Sequence, residues 1–369
     1  MKKLLLKTCL SSMFCLSVIS ASYAAKPDFY DNARSLGMGG VSVTYTDDYL
    51  TIYRNPAGLG LQKKTKYSVL SPTFSRNNEY SQVIDNINAL NNNDTAANRS
   101  SNFRHLENIM GKTGYQSWSD TAYYMDERGF ALSMRYDDYQ FYSVENPTSP
   151  KVKSSIYKDT VFAGSYSGPF EDEGQNLFRD KATGWWGVNL KIASRKMTET
   201  SYSARDFAAL TPDALKDTDR TGLAFDADVG ALWQLTNPMK TTFGVFVGNL
   251  LEAKFSDETG RLKRIYSVGA SIKPLTGEQE RNDRLLLACE YIDDGERINC
   301  WNKIRLGATV KVVRGLHLLA GVKGGYLTGG LDYSWNDLTF TASTYGEELG
   351  KRPGDREDRR YAVDASLRF

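Results

Sequence analysis

Four basic residues lie on the polar phase of two strictly alternating stretches of the chain. They are Lys191, Arg195, Arg305 and Lys311. If this phase faces an enclosed space, the cations could bind a ligand carboxylate through charge-assisted hydrogen bonds. They could instead line a wet interior and pair with Asp226 and Asp228, which is the interpretation the sequence favours. Either chemistry requires a fold that turns these side chains inward.

Two cysteines flank a typical hairpin turn. Cys289 and Cys300 lie on either side of Asp294-Gly295, a two-residue turn of the kind that joins antiparallel strands. With that turn the cysteines would be direct cross-strand neighbours, at a separation that a disulfide can bridge. Disulfides persist in exported proteins, so the sequence predicts a Cys289–Cys300 bond. Two free thiols are the alternative.

The chain has two histidines, His105 and His317. Neither has a spaced serine or carboxylate partner that would indicate nucleophilic or acid–base catalysis. Neither lies near the two cysteines in sequence, as a shared metal site would require. We therefore expect no enzyme activity, no metal site and no cofactor.

Residues 1–24 are typical of an export signal. Three lysines begin the segment, a short apolar run follows, and small residues precede a cleavage position after Ala24. The apolar run is shorter than the ~18 residues that a membrane-spanning helix needs. Cleavage removes the three lysines, so the net charge of +2 becomes −1. A balance this close to neutral argues against a nucleic-acid partner.

The last residues of the chain alternate between apolar and polar side chains. The apolar phase consists of Tyr361, Val363, Ala365, Leu367 and Phe369. The polar phase consists of Arg360, Asp364, Ser366 and Arg368. A closed barrel across a lipid bilayer suits both phases, because its outside meets hydrocarbon and its lumen is polar. An edge strand of a soluble sandwich could show the same alternation.

Similar stretches recur along the chain. Counted back from Phe369 they give fourteen strands, the first at residues 66–74, and single-chain outer-membrane barrels have an even number. Every second connection tends to be short, as periplasmic turns are. The sequence therefore predicts an all-β fold, a fourteen-stranded antiparallel outer-membrane β-barrel over residues 66–369. Within the long connection at residues 82–110, helical spacing in the second half predicts a short amphipathic helix.

Residues 25–65 are too many for a plain connection to the first strand. The segment contains two clusters of turn-forming residues, namely Gly37, Gly39, Gly40 and Asn55, Pro56, Ala57, Gly58. A phosphate-binding loop is a weak alternative, because no strand-to-helix context surrounds the glycines and no Lys-Ser or Lys-Thr follows them. A compact plug made of tight turns fits the composition better.

This segment resembles the FadL-type superfamily of outer-membrane transporters and their PorV-like and TraF-like relatives. The matching pattern is Ser-Leu-Gly-Met-Gly-Gly at 35–40, Asp-Asp at 47–48 and Asn-Pro-Ala-Gly-Leu at 55–59. Residues 342–350 are similar to the final hairpin of the PorV-like branch. The resemblance implies a hatch inside the lumen with Asn55, Pro56 and Ala57 as its motif. It also implies a place in the bacterial outer membrane, with Phe369 read by the barrel-assembly machinery.

The resemblance further implies a lateral opening at a kink in the third strand. In this chain Met134 keeps one phase of that strand, whereas Tyr139 and Phe141 take the other. A slip of phase at Asp137-Asp138 predicts a β-bulge. Alternatively, the strand ends there or passes into a girdle of aromatic residues.

Two functions fit these features. The first is passive uptake of hydrophobic small molecules, such as long-chain fatty acids, across the outer membrane. The second is a PorV-like role, in which the barrel holds other secreted proteins and transports nothing. Outer-membrane lipid and the barrel-assembly machinery are expected partners in both cases. A continuous apolar interior would favour uptake, and an interior filled with ion pairs would favour the binding role.

Overall fold

A computed structural model describes residues 30–44, 48–92, 99–145, 151–170, 182–203, 220–257, 259–274, 284–295, 299–350 and 352–369. The predicted export signal, residues 1–24, lies outside the described residues. Within these ranges, no helix combines the length and apolar character needed to cross a membrane.

Fifteen strand segments form one antiparallel sheet that closes on itself. They are β1 (Lys66–Ser68), β2 (Thr73–Asn77), β3 (Thr113–Met125), β4 (Phe130–Glu145), β5 (Lys151–Pro169), β6 (Ala182–Ser203), β7 (Arg220–Leu235), β8 (Thr242–Gly248), β9 (Ile265–Ile272), β10 (Leu285–Asp293), β11 (Ile304–Val313), β12 (Leu316–Lys323), β13 (Tyr326–Trp335), β14 (Leu338–Glu348) and β15 (Glu357–Leu367). Because β1 and β2 both pair with β3, they are two parts of one interrupted first strand. The barrel therefore has fourteen strands, and the predicted fold class is confirmed.

Strict alternation places apolar side chains outside the barrel and polar ones inside. In β15, Tyr361 is 47% exposed whereas its neighbour Ala362 is 1% exposed. Arg360, on the same phase as Ala362, is fully buried and points inward. β15 pairs with β14 on one side and with β2 on the other, so the last strand closes the barrel as the sequence predicted.

The two ends of the barrel differ in their connections. At one end the strands are joined by residues 126–129, 236–241, 314–315 and 336–337, and we call this the turn end. At the other end, the loop end, residues 78–112, 249–264 and 349–356 connect the strands. The C-terminal Phe369 lies at the turn end, where its backbone exchanges two hydrogen bonds with Tyr67.

Two short helices stand before the first strand, and two longer ones occupy residues 78–112. The first pair is α1 (Ala33–Gly37) and α2 (Leu50–Arg54), followed by a 3₁₀ helix at Pro56–Leu61. The second pair is α3 (Tyr80–Asn92) and α4 (Arg99–Asn108), of which the sequence predicted the second. Val83, Leu106 and Ile109 pack on Val144 and Val152 of the barrel wall. Helices α3 and α4 therefore pack against the barrel wall at the loop end.

The predicted disulfide is wrong in this structure, because Cys289 and Cys300 are both free and exposed. Strand β10 ends at Asp293 and β11 begins only at Ile304, after a 3₁₀ helix at Cys300–Lys303. Cys289 consequently faces Leu306 in the ladder. Asp294-Gly295 does not form the two-residue turn that would have brought the cysteines together.

We expect both thiols of the purified, signal-cleaved protein to react with a maleimide under denaturing conditions without reductant. Cys300→Ser should change the free energy of unfolding by no more than about 0.5 kcal/mol, as for other exposed positions. A Cys289–Cys300 cross-linked peptide in a non-reducing digest would contradict the observed register.

Candidate functional site

Residues 30–44 and 48–62, which we call the N-terminal segment, lie inside the barrel and contact its walls on several sides. Helix α1 packs against β13, β14 and β15, whereas the 3₁₀ helix packs against β5, β6 and β7. Between them, the amides of Ser42 and Val43 donate to the Glu290 carboxylate of β10 at 2.6 and 3.0 Å. Nearly every described residue of this segment is buried. The segment therefore fills the interior from one wall to the opposite one.

The Asn-Pro-Ala motif starts the 3₁₀ helix and ties it to the rest of the segment. Asn55 is the N-cap, and its side-chain oxygen accepts from the amide of Ala57, while Pro56 takes the first helical position. The Asn55 amide group also donates to the carbonyl of Val43 at 2.9 Å. The Asn55 side chain thus caps the 3₁₀ helix and also links it by a hydrogen bond to Val43 in the same segment.

The glycine turn of the segment packs backbone to backbone against β11 and β12. Gly39 and Gly40 have φ of 71° and 77°, in the left-handed region that favours glycine. A methyl group at Gly39 would overlap the carbonyl oxygen of Leu306. On the wall, Gly307 and Gly321 face each other in the ladder, and neither has room for a side chain beside the turn.

A second glycine pair receives the Asn-Pro-Ala motif. Gly187 of β6 and Gly230 of β7 are ladder partners, and both face inward. A side chain at Gly187 would overlap Ala57, and one at Gly230 would overlap the Asn55 side chain. These wall glycines were not among the residues predicted from the sequence. Their signal is a glycine on the inward phase of an alternating strand.

The four predicted cations are not brought together into one binding site. Lys191 donates to Asp228 at 2.6 Å, as the simpler interpretation expected. Arg195 is paired with Asp159 at 2.6 Å, and Arg305 donates to the backbone carbonyl of Gly40 at 2.8 Å. The last of the four, Lys311, lies near the turn end opposite His317.

Among the described residues, Asp226 binds backbone amides and does not pair with a lysine or arginine, contrary to the simpler interpretation. Its carboxylate accepts the backbone amides of Leu251 and Ala253, both at 3.0 Å. It therefore anchors the β8–β9 connection, residues 249–264. Phe255 of this connection packs in the same buried cluster as Tyr53 and Leu50 of the N-terminal segment. The interior is thus filled from both directions.

Tyrosines line the core of the N-terminal segment. The rings of Tyr30 and Tyr53 stack with centroids 4.5 Å apart. Burial raises the pKa of Tyr49 to about 12, and burial likewise raises the pKa of Tyr53. Both phenols are therefore neutral over the ordinary pH range. The Tyr53 hydroxyl accepts a hydrogen bond from the Ser133 hydroxyl at 2.9 Å, and the Tyr49 ring packs 5.7 Å from the Tyr123 ring.

A small cavity of about 60 Å³ remains between the segment and the wall towards the loop end. It is lined by tyrosines and by charged side chains in close pairs. Arg135–Asp137 and Lys323–Glu347 are pairs within the lining. The lining residues Asp159 and Arg360 are paired with Arg195 and Asp358. A cavity of this size holds a few water molecules, whereas drug-sized ligands occupy about 300–1,000 Å³.

The predicted bulge at Asp137-Asp138 is wrong. Strand β4 pairs residue by residue with β3 and β5 through both positions, with no shift of register. Tyr139 and Phe141 take the polar phase because they point inward and pack with Tyr115 in an aromatic cluster. The apolar side chains therefore change phase because Tyr139 and Phe141 face the interior, while the strand itself is continuous.

The interruption lies instead in the first strand. Ser68 pairs with Tyr123 and Thr73 with Ser119, so the first strand takes five steps where β3 takes four. The alternation breaks at Val69 and Leu70, two consecutive residues that both project outward and are 75% and 55% exposed, so one of them is the extra residue. Next to them, the Ser71 amide donates to the Asp120 carboxylate at 2.8 Å. A side chain thus satisfies a backbone donor that the ladder leaves unpaired.

An apolar groove of about 1190 Å³ lies on the outer face of β3 to β7. Its walls are outward-facing side chains, among them Leu132, Met134, Phe162, Leu190, Ile192 and Phe225. The groove reaches Val69 in the first strand, and the interior cavity reaches Thr73 in the same strand. The interruption therefore lies between the part of the first strand that borders the outer groove and the part that borders the interior cavity.

Phe369 ends the chain on the outside of the barrel. It is half-exposed, and its ring stacks on Tyr67 with centroids 5.3 Å apart. This places a terminal aromatic side chain at the turn end, on the apolar outer face. Its role as an assembly signal stays a prediction.

The closed barrel with a filled interior has the fold of known hydrocarbon channels. A monoaromatic hydrocarbon channel, the TodX deltaS2S3 mutant, matches 92% of this chain and 98% of its own, with 10% identity and a TM-score of 0.52. The CymD monoaromatic hydrocarbon channel matches 91% and 96%, with 10% identity and a TM-score of 0.51. No protein-family model and no curated protein sequence matches the chain. The resemblance to FadL-type barrels is thus confirmed for the fold, and the PorV-like branch stays a prediction.

Proposed function

We propose that this protein is an outer-membrane barrel for passive uptake of hydrophobic small molecules. The observation that carries the proposal is the apolar groove beside the interrupted first strand. The groove borders Val69 of this strand, and the interior cavity borders Thr73, four residues further along the chain. The fold shared with two hydrocarbon channels supports it. In this proposal residues 1–24 direct export, residues 25–65 are the hatch, and residues 66–369 form the barrel.

The same proposal places the barrel in the bacterial outer membrane. Its outer face carries large apolar side chains on nearly every strand, which suits contact with lipid. Short connections face the periplasm in such barrels, so the turn end is the periplasmic one. The barrel-assembly machinery would read Phe369 there.

The interior argues for neutral ligands over carboxylates. Lys191 and Arg195 are each paired with an aspartate, and Arg305 is held by a backbone carbonyl. A fatty-acid head group would have to displace one of these partners. We therefore favour neutral hydrocarbons as substrates and keep long-chain fatty acids as a separate arm of the test.

We propose the first strand as the lateral route in place of the third. Deleting Val69 removes the extra residue, and the remaining sequence alternates cleanly from Tyr67 to Phe74. Cells that produce the protein should accumulate radiolabelled toluene faster than cells with an empty vector. The Val69 deletion should lower this rate to the vector level, because a continuous ladder would close the interruption. Oleate, measured in parallel, tests the carboxylate arm.

A matched control exists on the far wall. Between β11 and β12 the register also shifts by one residue, between Lys311 and Val313. Deleting Val312 should leave uptake unchanged, since this bulge adjoins neither the cavity nor the groove. If the intact protein speeds accumulation of neither probe, the uptake proposal fails. If the Val69 deletion transports normally, only the route is wrong.

One observation favours the second function, the binding or assembly role. The interior is closed by ion pairs, by the N-terminal segment and by Phe255, as expected of a barrel that conducts nothing. Under this alternative, cells lacking the protein would lose particular secreted proteins from their surface. Protease shaving of intact cells with and without the gene, compared by mass spectrometry, measures that loss. Normal surface proteins together with measurable uptake would leave the first function standing.

A further inference from the structure

We propose that the outer groove is a binding site for an anionic phospholipid of the periplasmic leaflet. One acyl chain would lie in the groove, and the head group would sit at the turn end beside Arg128 and Lys64. The inference rests on the proposed membrane location and orientation, and it is independent of whether the barrel transports anything.

The groove has the shape and chemistry for an acyl chain. Its floor is formed partly by small residues on the outward phase, Ala122 of β3 and Gly164 of β5. Larger side chains such as Leu132, Phe162 and Leu190 stand around this floor. A chain seated there would contact the protein on several sides, whereas lipid on a convex wall touches it on one. Contact with more apolar surface favours retention.

Aromatic side chains mark where the head-group region begins. Tyr67, Tyr124 and Tyr166 line the groove towards the turn end. Tyrosine rings are enriched at membrane–water interfaces, where one edge is apolar and the other is wet. An acyl chain in the groove would therefore leave its glycerol and phosphate at this end.

Charge at the same end suits an anion. Arg128 is exposed in the β3–β4 turn, and Lys64 is exposed two residues before Lys66, which is the ladder partner of Met125. The basic residues of this corner are Lys63, Lys64, Lys66 and Arg128, and its acidic groups among the described residues are Asp126, Glu127 and the C-terminal carboxylate of Phe369. The Asp126 carboxylate is engaged by the backbone amide of Arg128 at 3.0 Å. The excess of positive charge selects an anionic head group over a zwitterionic one.

A phospholipid accounts for both halves of the site. A neutral hydrocarbon passing through the wall would use the apolar groove but would gain nothing from the cations. A soluble anion would use the cations but not the groove. The continuity of the groove with the basic corner at one end of β3 and β4 points to a single amphipathic occupant.

The test is native mass spectrometry of the full signal-cleaved chain, with dioleoylphosphatidylglycerol and dioleoylphosphatidylcholine titrated separately in detergent. We expect one phosphatidylglycerol to bind several-fold more tightly than phosphatidylcholine. Arg128→Gln should weaken phosphatidylglycerol binding about fivefold, the effect of one cation near an anionic lipid. Arg314→Gln is the matched control, since Arg314 is exposed in the tight β11–β12 turn at the same end.

A substitution that fills the groove tests whether an acyl chain binds there. Gly164 has a Cβ position 3.6 Å from Leu132, so Gly164→Leu fits the wall and projects into the groove. Gly329 of β13 is likewise outward-facing, with a Cβ position 3.6 Å from the Leu319 carbonyl, and lies outside the groove. Gly164→Leu should abolish retention of phosphatidylglycerol, and Gly329→Leu should leave it intact.

Equal binding of the two lipids, or equal effects of Arg128→Gln and Arg314→Gln, would overturn the proposed site. Equal effects of the two glycine substitutions would overturn it as well. These readouts are separate from uptake. A protein that binds phosphatidylglycerol as expected but accumulates no hydrocarbon would keep the lipid site and lose the transport function.

Discussion

Gly39→Ala should detach the N-terminal segment from the barrel wall, whereas Gly354→Ala should leave the protein nearly unchanged in structure. Both glycines have left-handed backbones, with φ of 71° and 88°. An alanine costs roughly 1–2 kcal/mol at either position for that reason alone. Only Gly39 is also enclosed, since its added methyl group would overlap the Leu306 carbonyl, while nothing lies within 4 Å of that position at Gly354.

The difference between the two variants therefore isolates the contact with the wall. Overpacking typically adds about 1–3 kcal/mol, which is enough to displace a segment held by short helices and turns. Trypsin cleavage after Arg34 or Arg54 in the detergent-solubilised protein reports on the displacement. Cleavage should be fast in Gly39→Ala and slow in Gly354→Ala and in the unchanged protein. Equal protection in all three would show that the turn does not hold the segment in place.

Arg195→Met should lower the free energy of unfolding by about 3–5 kcal/mol, the usual cost of leaving a buried partner unpaired. The Arg195 side chain is fully buried, its Asp159 partner is nearly so, and the two are 2.6 Å apart. Its guanidinium also lies over the Phe255 ring, 4.5 Å from the centroid. The substitution removes the countercharge and a contact that helps to hold the β8–β9 connection inside the barrel.

Two further variants separate charge from packing. Replacing both residues, Arg195→Met with Asp159→Leu, should recover much of the loss, because no uncompensated charge remains. Lys158→Met breaks the pair with Asp138, which is 3.5 Å apart with Lys158 47% exposed, and should cost at most about 1 kcal/mol. Urea unfolding in detergent, followed by tryptophan fluorescence, gives all three values. A double variant as unstable as Arg195→Met would assign the loss to packing instead of charge.

The strands and their closure were predictable because alternation is a local pattern with a single physical cause. Outward positions carry apolar side chains, and inward positions carry polar side chains or side chains that pack closely in the interior, as in β15. The Asn55-Pro56-Ala57 turn was predictable for the same reason, since capping and proline position are encoded within a few residues. The local conformation of each of these elements follows from its own residues.

What failed depends on contacts that are distant in sequence. Tyr139 and Phe141 suggested a bulge because their inward partner Tyr115 is invisible to a single-strand pattern. Asp294-Gly295 suggested a tight hairpin, yet the chain forms a 3₁₀ helix at Cys300–Lys303 before the next strand begins. The wall glycines lie on the inward phase of their strands, but this phase does not show which part of the chain lies against them. They are explained by the N-terminal segment that they contact.

The position of the interrupted strand bears on how the barrel comes into being. The extra residue lies in the strand that meets β15, and this junction joins residues near 70 to residues near 365. It is the pairing with the greatest separation along the chain, so it carries the largest loop-closure entropy and forms late. We therefore expect the barrel to close by pairing of β15 with the interrupted first strand. This last junction to form during biogenesis lies beside the outer groove.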